Sequence, residues 1–183
     1  IITINNSENV DIDKIKRNFL TNSSCGVCGK TSLESLEIIK KDKILKSIPK
    51  IHHEIIMKSP DILKQNQSEF SKTGGIHASG LFRANGEIIA VKEDVGRHNA
   101  LDKLIGALQK KGFNGKGFVI TTSRASYEMV QKTVMLGAST LIAISAPTGL
   151  AIRSALKYGL CLIGFARAPH YVIYTYTERV TKN

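Results

Sequence analysis

Cysteine is scarce in this sequence, with three residues among 183. An odd and sparse set cannot build the disulfide framework of a small secreted domain, so the sequence favours a reducing cytosol. The first residues, Ile1 to Asn6, also lack the basic stretch and apolar run of a secretory signal. Because an initiator methionine is missing as well, we expect the sequence to be a fragment of a longer chain.

Long apolar runs and acidic residues are also in short supply. No run approaches the length of a transmembrane helix, so no membrane-spanning segment is predicted. The 42% hydrophobic and 22% charged residues predict one globular domain, or one domain with a small appendage. The net charge of +11 attracts phosphates, nucleic acid or acidic partners. Since the lysines lie singly or in pairs without interleaved aromatic residues, a solvated basic face is favoured over a nucleic-acid site.

Two of the three cysteines, Cys25 and Cys28, form a Cys-x-x-Cys motif among hydroxyl side chains and glycines. Such a polar stretch is typical of reactive thiols, and the neighbouring Lys30 favours the thiolate. The alternatives are half of a zinc site, which needs two further ligands, or a regulatory disulfide. Cys161 lies in an apolar strand and is predicted to belong to the core.

The sequence changes in texture near residue 73. Residues 1–73, rich in lysine and isoleucine, are predicted to form a partial amino-terminal region with the cysteine loop and two helices. The first helix covers residues 32–41 and opens with a capping box. The second has Ser59 as its N-cap and Pro60 at its first position, and it ends at residue 73, before two glycines. Residues 74–183 are predicted to form an α/β core that is continuous with this region.

Residues 74–183 alternate strands and helices. A β-hairpin is predicted over residues 78–92, with Asn85 and Gly86 supplying the positive φ values of a tight primed turn. A helix with an apolar face follows at residues 100–108. Further strands are predicted at 118–122, 140–145 and 160–165, and helices at 127–136 and 150–158. Continuous apolar strands with helical crossovers indicate a three-layer α/β sandwich with a mixed, mostly parallel sheet.

Polar side chains follow the ends of these strands. Ligands of such sheets bind beyond the carboxyl ends of the strands, where helix N-termini and guanidinium groups recognise phosphate oxygens. The residues concerned are Arg97, His98, Thr122, Ser123, Arg124, Ser145, Pro147 and Arg167. Each has a structural alternative, such as helix caps for Asp94 and Ser145 or ion pairs for Arg97 and Arg124. As a set, they predict a phosphate-binding edge of the sheet.

Five stretches resemble the FdhD family of formate dehydrogenase accessory sulfurtransferases, in the expected order over nearly the whole chain. They are residues 23–30, 73–78, 93–103, 123–128 and 164–167, the last followed by Tyr174 and Thr175. The resemblance implies a cytidine-deaminase-like fold and a homodimer in the cytoplasm. Part of the amino-terminal segment that is usual in the family is not found, so part of the fold is expected to be missing.

The resemblance also implies a function. A member of this family takes persulfide sulfur from a cysteine desulfurase and passes it to the molybdenum or tungsten bis-guanine-dinucleotide pterin cofactor of formate dehydrogenase. Cys25 is then the persulfide carrier, and Cys28 assists it or holds a second sulfur. A thiolate can accept and release sulfur reversibly in this way. The cofactor is a transient substrate, and no tightly bound metal is expected.

The family places the dinucleotide just past the last parallel strand. The matching residues here are Phe165, Ala166, Arg167, Ala168, Pro169 and His170. Arg167 can pair with pyrophosphate, and Phe165 or His170 can stack on guanine or pterin. Pro169 can keep the backbone rigid. The last three residues of this segment are less polar than the family pattern.

One histidine motif points to another activity. His52-His53-Glu54 matches the His-x-Glu of zinc deaminases, but those enzymes place Pro-Cys-x-x-Cys after it, whereas here the cysteines come first. His77 and His98 are better candidates for a polar site. The alternative function is a non-catalytic chaperone that binds the pterin dinucleotide, or an adapter that docks the desulfurase and formate dehydrogenase.

Overall fold

The computed structural model describes residues 49–113 and 117–182. The Cys25–Cys28 motif and the helix predicted at 32–41 lie outside the described residues. The strands are β1 (Ile51–His52), β2 (His77–Phe82), β3 (Ile88–Asp94), β4 (Phe118–Thr121), β5 (Thr140–Ala143), β6 (Cys161–Arg167), β7 (His170–Ile173) and β8 (Val180–Thr181). The helices are α1 (His53–Gln65), α2 (Ser68–Thr73), α3 (Arg97–Lys110), α4 (Tyr127–Leu136) and α5 (Gly149–Tyr158), with a 3-10 turn at Thr177–Arg179.

Six of the described strands form one mixed sheet in the order β3-β2-β4-β5-β6-β7. The ladders β4–β5 and β5–β6 are parallel, whereas β2 pairs antiparallel with both β3 and β4, and β6 pairs antiparallel with β7. Strands β3, β4, β5 and β6 therefore run in one direction, and β2 and β7 run in the other. The predicted mixed α/β fold is confirmed, and its likeness to cytidine deaminases stays a prediction. Strands β1 and β8 pair separately, in parallel.

The sheet is buried on both faces because its strands alternate side chains between two apolar clusters. Leu141 of β5 packs with the helices α3, α4 and α5, whereas its neighbour Ile142 packs with α1. Ile56 and Leu63 anchor α1 on that second face, and both are fully buried. A strand that is covered on both sides needs an apolar residue at every position, which explains the continuous apolar runs in the sequence. The three predicted layers are present.

Helix α1 corrects one prediction. It begins at His53 and runs through Pro60, and the chain re-forms α2 only after a break at residues 66–67, so the single helix predicted from Ser59 to residue 73 is wrong. A proline lacks the N–H that would bond the carbonyl of Ile56, four residues earlier. The Ser59 hydroxyl donates a hydrogen bond to that carbonyl instead, at 2.9 Å. This bond satisfies the group that Pro60 leaves unpaired, so the helix continues.

The predicted hairpin of β2 and β3 is confirmed, but its turn is not the primed type. The Gly86 N–H donates to the carbonyl of Arg83 at 2.9 Å, and the Arg83 N–H donates to the carbonyl of Glu87 at 2.8 Å. These bonds close a three-residue loop. Among the loop residues only Gly86 has positive φ, at 88°. A type I turn followed by a left-handed glycine is the usual form of such a loop.

The later elements match their predicted positions. In α3, Leu101, Leu104 and Leu108 face the core and are at most 1% exposed. Cys161 is fully buried, and burial raises the pKa of its thiol to about 12. It therefore stays protonated and belongs to the core, as predicted. None of the described helices is long and apolar enough to cross a membrane.

Candidate functional site at the carboxyl edge of the sheet

A cavity of about 740 Å³ opens where β4, β5 and β6 end. Its lining residues come from α1, α2, the start of β2 and the three strand ends, and they are Pro60, Asp61, Lys64, Gln67, Phe70, Gly74, Gly75, Ile76, His77, Thr122, Ile144, Arg167 and Ala168. Sites for small organic ligands usually occupy roughly 300 to 1,000 Å³. The cavity combines apolar side chains with the cations Lys64 and Arg167, which suits a ligand with a ring and anionic groups.

The cavity brings together part of the predicted set. Thr122, Arg167 and Ala168 line it, together with His77. Each of the first three residues lies at or just beyond the carboxyl end of a strand. Because β2 runs antiparallel to β4, its first residue, His77, reaches the same edge. These four residues therefore share one wall, as the strand order requires.

Thr122 fixes the position of His77. Its hydroxyl accepts a hydrogen bond from the Ala78 N–H at 2.9 Å and lies 3.3 Å from Nδ1 of His77. Burial lowers the pKa of His77, and the nearby charge of Arg97 lowers it further. The imidazole is therefore neutral near pH 7 and presents one donor and one acceptor.

Arg97 and His98 open α3 beside this wall but are not among the residues lining the cavity. His98 is 8% exposed, and its Nε2 lies 3.4 Å from the hydroxyl of Ser126 and 3.9 Å from the carboxylate of Glu128. Burial lowers the pKa of His98, and Arg97 lowers it further. The Nε of Arg97 is buried without a hydrogen-bond partner. The ion pair considered for Arg97 is absent among the described residues.

The loops after β4 and β5 are bonded to each other. The Ala125 N–H donates to the carbonyl of Ala146 at 3.2 Å, and the Thr148 N–H donates to the carbonyl of Ala125 at 2.9 Å. Thr148, rather than Ser145, caps α5, because its hydroxyl accepts from the Ala151 N–H. Ser123 is buried, and its hydroxyl lies 3.1 Å from that of Thr121.

The cavity lining leaves several predicted residues aside. They are Ser123, Arg124, Ser145 and Pro147 on the two bonded loops, Phe165 and Ala166 near the end of β6, Pro169 between β6 and β7, and His170 at the start of β7. Arg124 and His170 are exposed, whereas Ala166 is 2% exposed and packs in the core. Their part in ligand binding stays a prediction.

The end of β6 has an unusual backbone. Gly164 is packed so closely that a Cβ would lie 2.8 Å from Cδ of Pro147 and 3.0 Å from the ring of Tyr174. The next residue, Phe165, has φ of 53°, and its N–H donates to the carbonyl of Ser145 at 3.2 Å. A left-handed backbone is costly for a bulky side chain. Phe165 is 47% exposed, two residues before the cavity-lining Arg167.

Asp94 organises the start of α3. Its carboxylate accepts hydrogen bonds from the Gly96 N–H at 2.9 Å and the Asn99 side chain at 3.2 Å, and it pairs with Lys103 at 2.5 Å. The hydrogen bond from Lys103 and that from Gly96 lower the pKa of Asp94. Gly96, rather than Asp94, is the N-cap of α3, and the helix has no side-chain capping bond, so the capping alternative considered for Asp94 is wrong.

The wall formed by α1 and α2 was not predicted from the sequence. The sequence places Asp61, Lys64 and Phe70 in the helix predicted from Ser59 to residue 73. Their spacing does not distinguish them from an ordinary solvated helix face. The adjacent stretch at residues 73–78 did carry a signal, because it is one of the motifs of the resemblance. Gly74 has φ of 67°, which turns the chain from α2 into the cavity wall.

No group of three or more His, Cys, Asp or Glu side chains suited to a metal ion occurs in residues 49–113 and 117–182. The pair considered for a zinc site, Cys25 and Cys28, lies outside these ranges. The expectation that the protein holds no metal of its own stays a prediction.

The sequence matches a known protein family. A model described as the FdhD/NarQ family matches residues 1–181. The chain belongs to the FdhD/NarQ family. Three relatives in this family, each named sulfur carrier protein FdhD, come from Picrophilus torridus, Sulfolobus acidocaldarius and Streptomyces coelicolor, at 44%, 42% and 42% identity. They align with 94%, 90% and 91% of this chain, which in turn spans 67%, 63% and 60% of their length.

A solved structure also resembles the chain. It is the crystal structure of a proposed formate dehydrogenase accessory protein from Desulfotalea psychrophila, with a TM-score of 0.69 and 24% identity. The similarity covers 75% of this chain and 62% of that one. At this identity the likeness supports the fold alone.

Proposed function

We propose that this member of the FdhD/NarQ family is a persulfide-carrying sulfurtransferase. It takes sulfur from a cysteine desulfurase and delivers it to the molybdenum or tungsten bis-guanine-dinucleotide pterin cofactor that formate dehydrogenase requires. The name sulfur carrier protein FdhD, which the three relatives share, supports the sulfur chemistry. The observation that carries the cofactor assignment is the cavity at the ends of β4, β5 and β6.

The cavity supports a dinucleotide substrate in two ways. Lys64 and Arg167 provide cations for phosphate oxygens, and a guanidinium can bind two oxygens at once. The apolar residues Pro60, Phe70 and Ile144 provide a surface for a ring. Asp61 is the acidic residue of the lining, so the cations outnumber it.

The sulfur step needs a thiol and no oxidant. The thiolate of Cys25 attacks the terminal sulfur of a persulfide on the donor; a new S–S bond forms, the donor's S–S bond breaks, and the donor leaves as a thiolate. In release, the Cys28 thiolate attacks Sγ of Cys25. The terminal sulfur leaves at the sulfide level with the electron pair, and the two cysteines end as a disulfide. A cellular thiol reductant then restores both cysteines.

The remaining parts of the proposal concern its setting. The partners are a cysteine desulfurase, formate dehydrogenase and the cofactor in transit, and the protein acts as a homodimer in the cytoplasm. The protein holds no metal of its own, because the metal ion arrives with the substrate.

Mass spectrometry after incubation with a desulfurase and cysteine tests the carrier role. We expect one added sulfur atom on a thiol, which the variant Cys25→Ala loses, whereas Cys161→Ala retains it because that thiol is buried. In cells, Cys25→Ala should abolish activation of formate dehydrogenase, and Cys28→Ala should reduce it less, because the cellular thiol reductant can attack Sγ of Cys25 in place of Cys28. Full activation by Cys25→Ala, with no sulfur on any thiol, would replace the carrier with a cofactor-binding chaperone.

A further inference from the structure

Phe70 is the phenylalanine in the lining of the cavity, where the other ring is the imidazole of His77. It lies on α2 and is half-buried, so part of its surface is open to a ligand. Pro60 and Ile76 add apolar surface to the lining, and Lys64 and Arg167 add charge. An aromatic face is the usual contact for a planar ring in sites that also bind phosphate.

Helix α2 has little of its own to hold it in place. It is six residues long, and none of them is buried. A helix this short is not stable without tertiary contacts. Its exposed ion pair, between Lys72 and Glu69 at 3.0 Å, joins two residues of α2 itself and does not fix the helix to the core.

Glu93 supplies the attachment. One carboxylate oxygen accepts a hydrogen bond from the Phe70 N–H at 2.9 Å, and the other accepts one from the Glu69 N–H at 2.9 Å. The Ser68 hydroxyl lies 3.4 Å from the second oxygen. Burial raises the pKa of Glu93, but these hydrogen bonds outweigh it, and the net pKa is lowered. The carboxylate is therefore charged at neutral pH.

The attachment starts from a rigid element. Glu93 lies in β3, opposite Ala78 of the buried strand β2. The carboxylate reaches 23 residues back along the sequence to the N–H of Phe70. A movement of α2 away from Glu93 would break both hydrogen bonds from the backbone N–H groups of Glu69 and Phe70. The backbone of Phe70 is therefore held at a fixed place relative to the sheet.

We propose that Phe70 is the surface on which the cavity receives a planar heteroaromatic ring, and that Glu93 is the residue that positions it. The inference rests on the proposed function, because a guanine-dinucleotide pterin contains rings of this kind. It goes beyond that function by assigning the ring contact to α2 rather than to residues 165–170, where the family resemblance places the dinucleotide. Two parts of the substrate, guanine and pterin, share this chemistry.

Calorimetric titration of Phe70 variants tests the ring contact. Loss of base stacking weakens binding by about fivefold or more, so we expect this loss for GDP with Phe70→Leu. Phe70→Tyr should restore affinity, and inorganic diphosphate should bind all three proteins equally. Titration with a free pterin distinguishes the sources: a loss confined to GDP assigns guanine to Phe70, and a loss confined to the pterin assigns the pterin.

A double-mutant cycle tests the positioning role. Glu93→Gln replaces one acceptor oxygen with an NH₂ group facing an N–H donor, so it should loosen α2 and weaken GDP binding several-fold. If Glu93 acts through Phe70, the double variant with Phe70→Leu loses no more than Phe70→Leu alone. The control is Glu87→Gln, whose parent carboxylate pairs with Arg83 on the exposed hairpin.

Hydrogen exchange reports on the attachment without any ligand. The backbone amides of Glu69 and Phe70 should exchange faster in Glu93→Gln than in the unaltered protein. In Glu87→Gln their exchange rates should be unchanged. Equal exchange in both variants, or additive losses in the cycle, would overturn the role of Glu93. Binding of both GDP and the free pterin that Phe70→Leu leaves intact would overturn the ring contact alone. Absence of GDP binding by the unaltered protein would instead overturn the proposed cofactor site, and this inference with it.

Discussion

The strand ends that share one edge of the sheet are finished in two different ways. After β4 and β5 the loops bond to each other through Ala125, with Thr148 capping the helix that follows. At the end of β6 two side chains are exposed: Phe165, which has a strained backbone, and Arg167, which lies at the cavity. The sequence shows hydroxyls and an arginine after β4, hydroxyls after β5 and an arginine at the end of β6.

The difference teaches that a polar residue after a strand has two possible uses. In the bonded loops the hydroxyls of Ser123 and Thr148 are consumed by the protein's own groups. At the end of β6, Arg167 has no carboxylate within ion-pair distance among the described residues. A ligand can recruit only the groups that the fold has not already satisfied.

The contact between the two kinds of strand end can be broken at Gly164. Gly164→Ala places a methyl group 2.8 Å from Cδ of Pro147 and should lower the free energy of unfolding by about 1 to 3 kcal/mol. Urea denaturation measures it. The control is Gly106→Ala in α3, where a Cβ meets nothing within 4 Å and alanine should stabilise the helix. Equal effects at the two glycines would mean that the junction yields freely.

Substitution of one arginine at each kind of strand end, Arg167 and Arg124, tests whether only the end of β6 binds the ligand. Arg167→Ala should weaken GDP binding about tenfold or more, because a charge-assisted hydrogen bond contributes about 1.5 to 3 kcal/mol. Arg124→Ala, on a bonded loop, should leave it unchanged, and so should Cys25→Ala. Calorimetry decides between them. Unaltered affinity in Arg167→Ala would remove this residue from the site, and equal losses in Arg167→Ala and Cys25→Ala would mean that the cavity is not the pocket.

The left-handed backbone of Phe165 should reverse the usual order of stability between an alanine and a glycine variant. Glycine costs no strain at φ of 53°, so Phe165→Gly should be more stable than Phe165→Ala by about 1 kcal/mol. At Arg124, whose φ is not positive, the order should reverse, with Arg124→Ala the more stable. Thermal or urea denaturation of the four variants measures this. The same order at both positions would show that the strain at Phe165 is relieved elsewhere.

Acidification should have the smallest effect on stability, through His77 in the cavity wall and His98 beside Ser126. The pKa values of His77 and His98 are lowered in the folded protein, so below the unfolded value of 6.5 the unfolded chain binds protons more readily. Stability is therefore fully present above about pH 6.5 and declines below it. Denaturation at pH 7.5 and 5.5 should show this loss, and His98→Gln should reduce it. An identical loss in the variant would assign it to other groups.

Local patterns predicted much of the fold. The periodicity of α3, the apolar strands and the loop at Gly86 are set by residues close in sequence. The prediction of mostly parallel pairing was enough to bring Thr122 and Arg167 to one edge, because the carboxyl ends of parallel strands meet there.

The wall of α1 and α2 needed contacts that the sequence does not display. Ser59 and Pro60 predict a helix start. In the structure, the Ser59 hydroxyl donates a hydrogen bond to the carbonyl of Ile56, and the helix continues through both residues. Glu93 attaches α2 across more than twenty residues. A pairing at that distance depends on which strand lies beside which, and this is decided only when the sheet has formed.

The burial of Cys161 has a practical consequence for anyone who counts thiols. A sulfur that stays protonated up to a pH of about 12 and is sealed inside the sheet does not react with alkylating reagents. Of the three cysteines, only Cys25 and Cys28 then remain as candidates for alkylation while the protein is folded. A third modified thiol signals unfolding, so each labelling experiment on the carrier motif comes with its own internal check that the protein was folded.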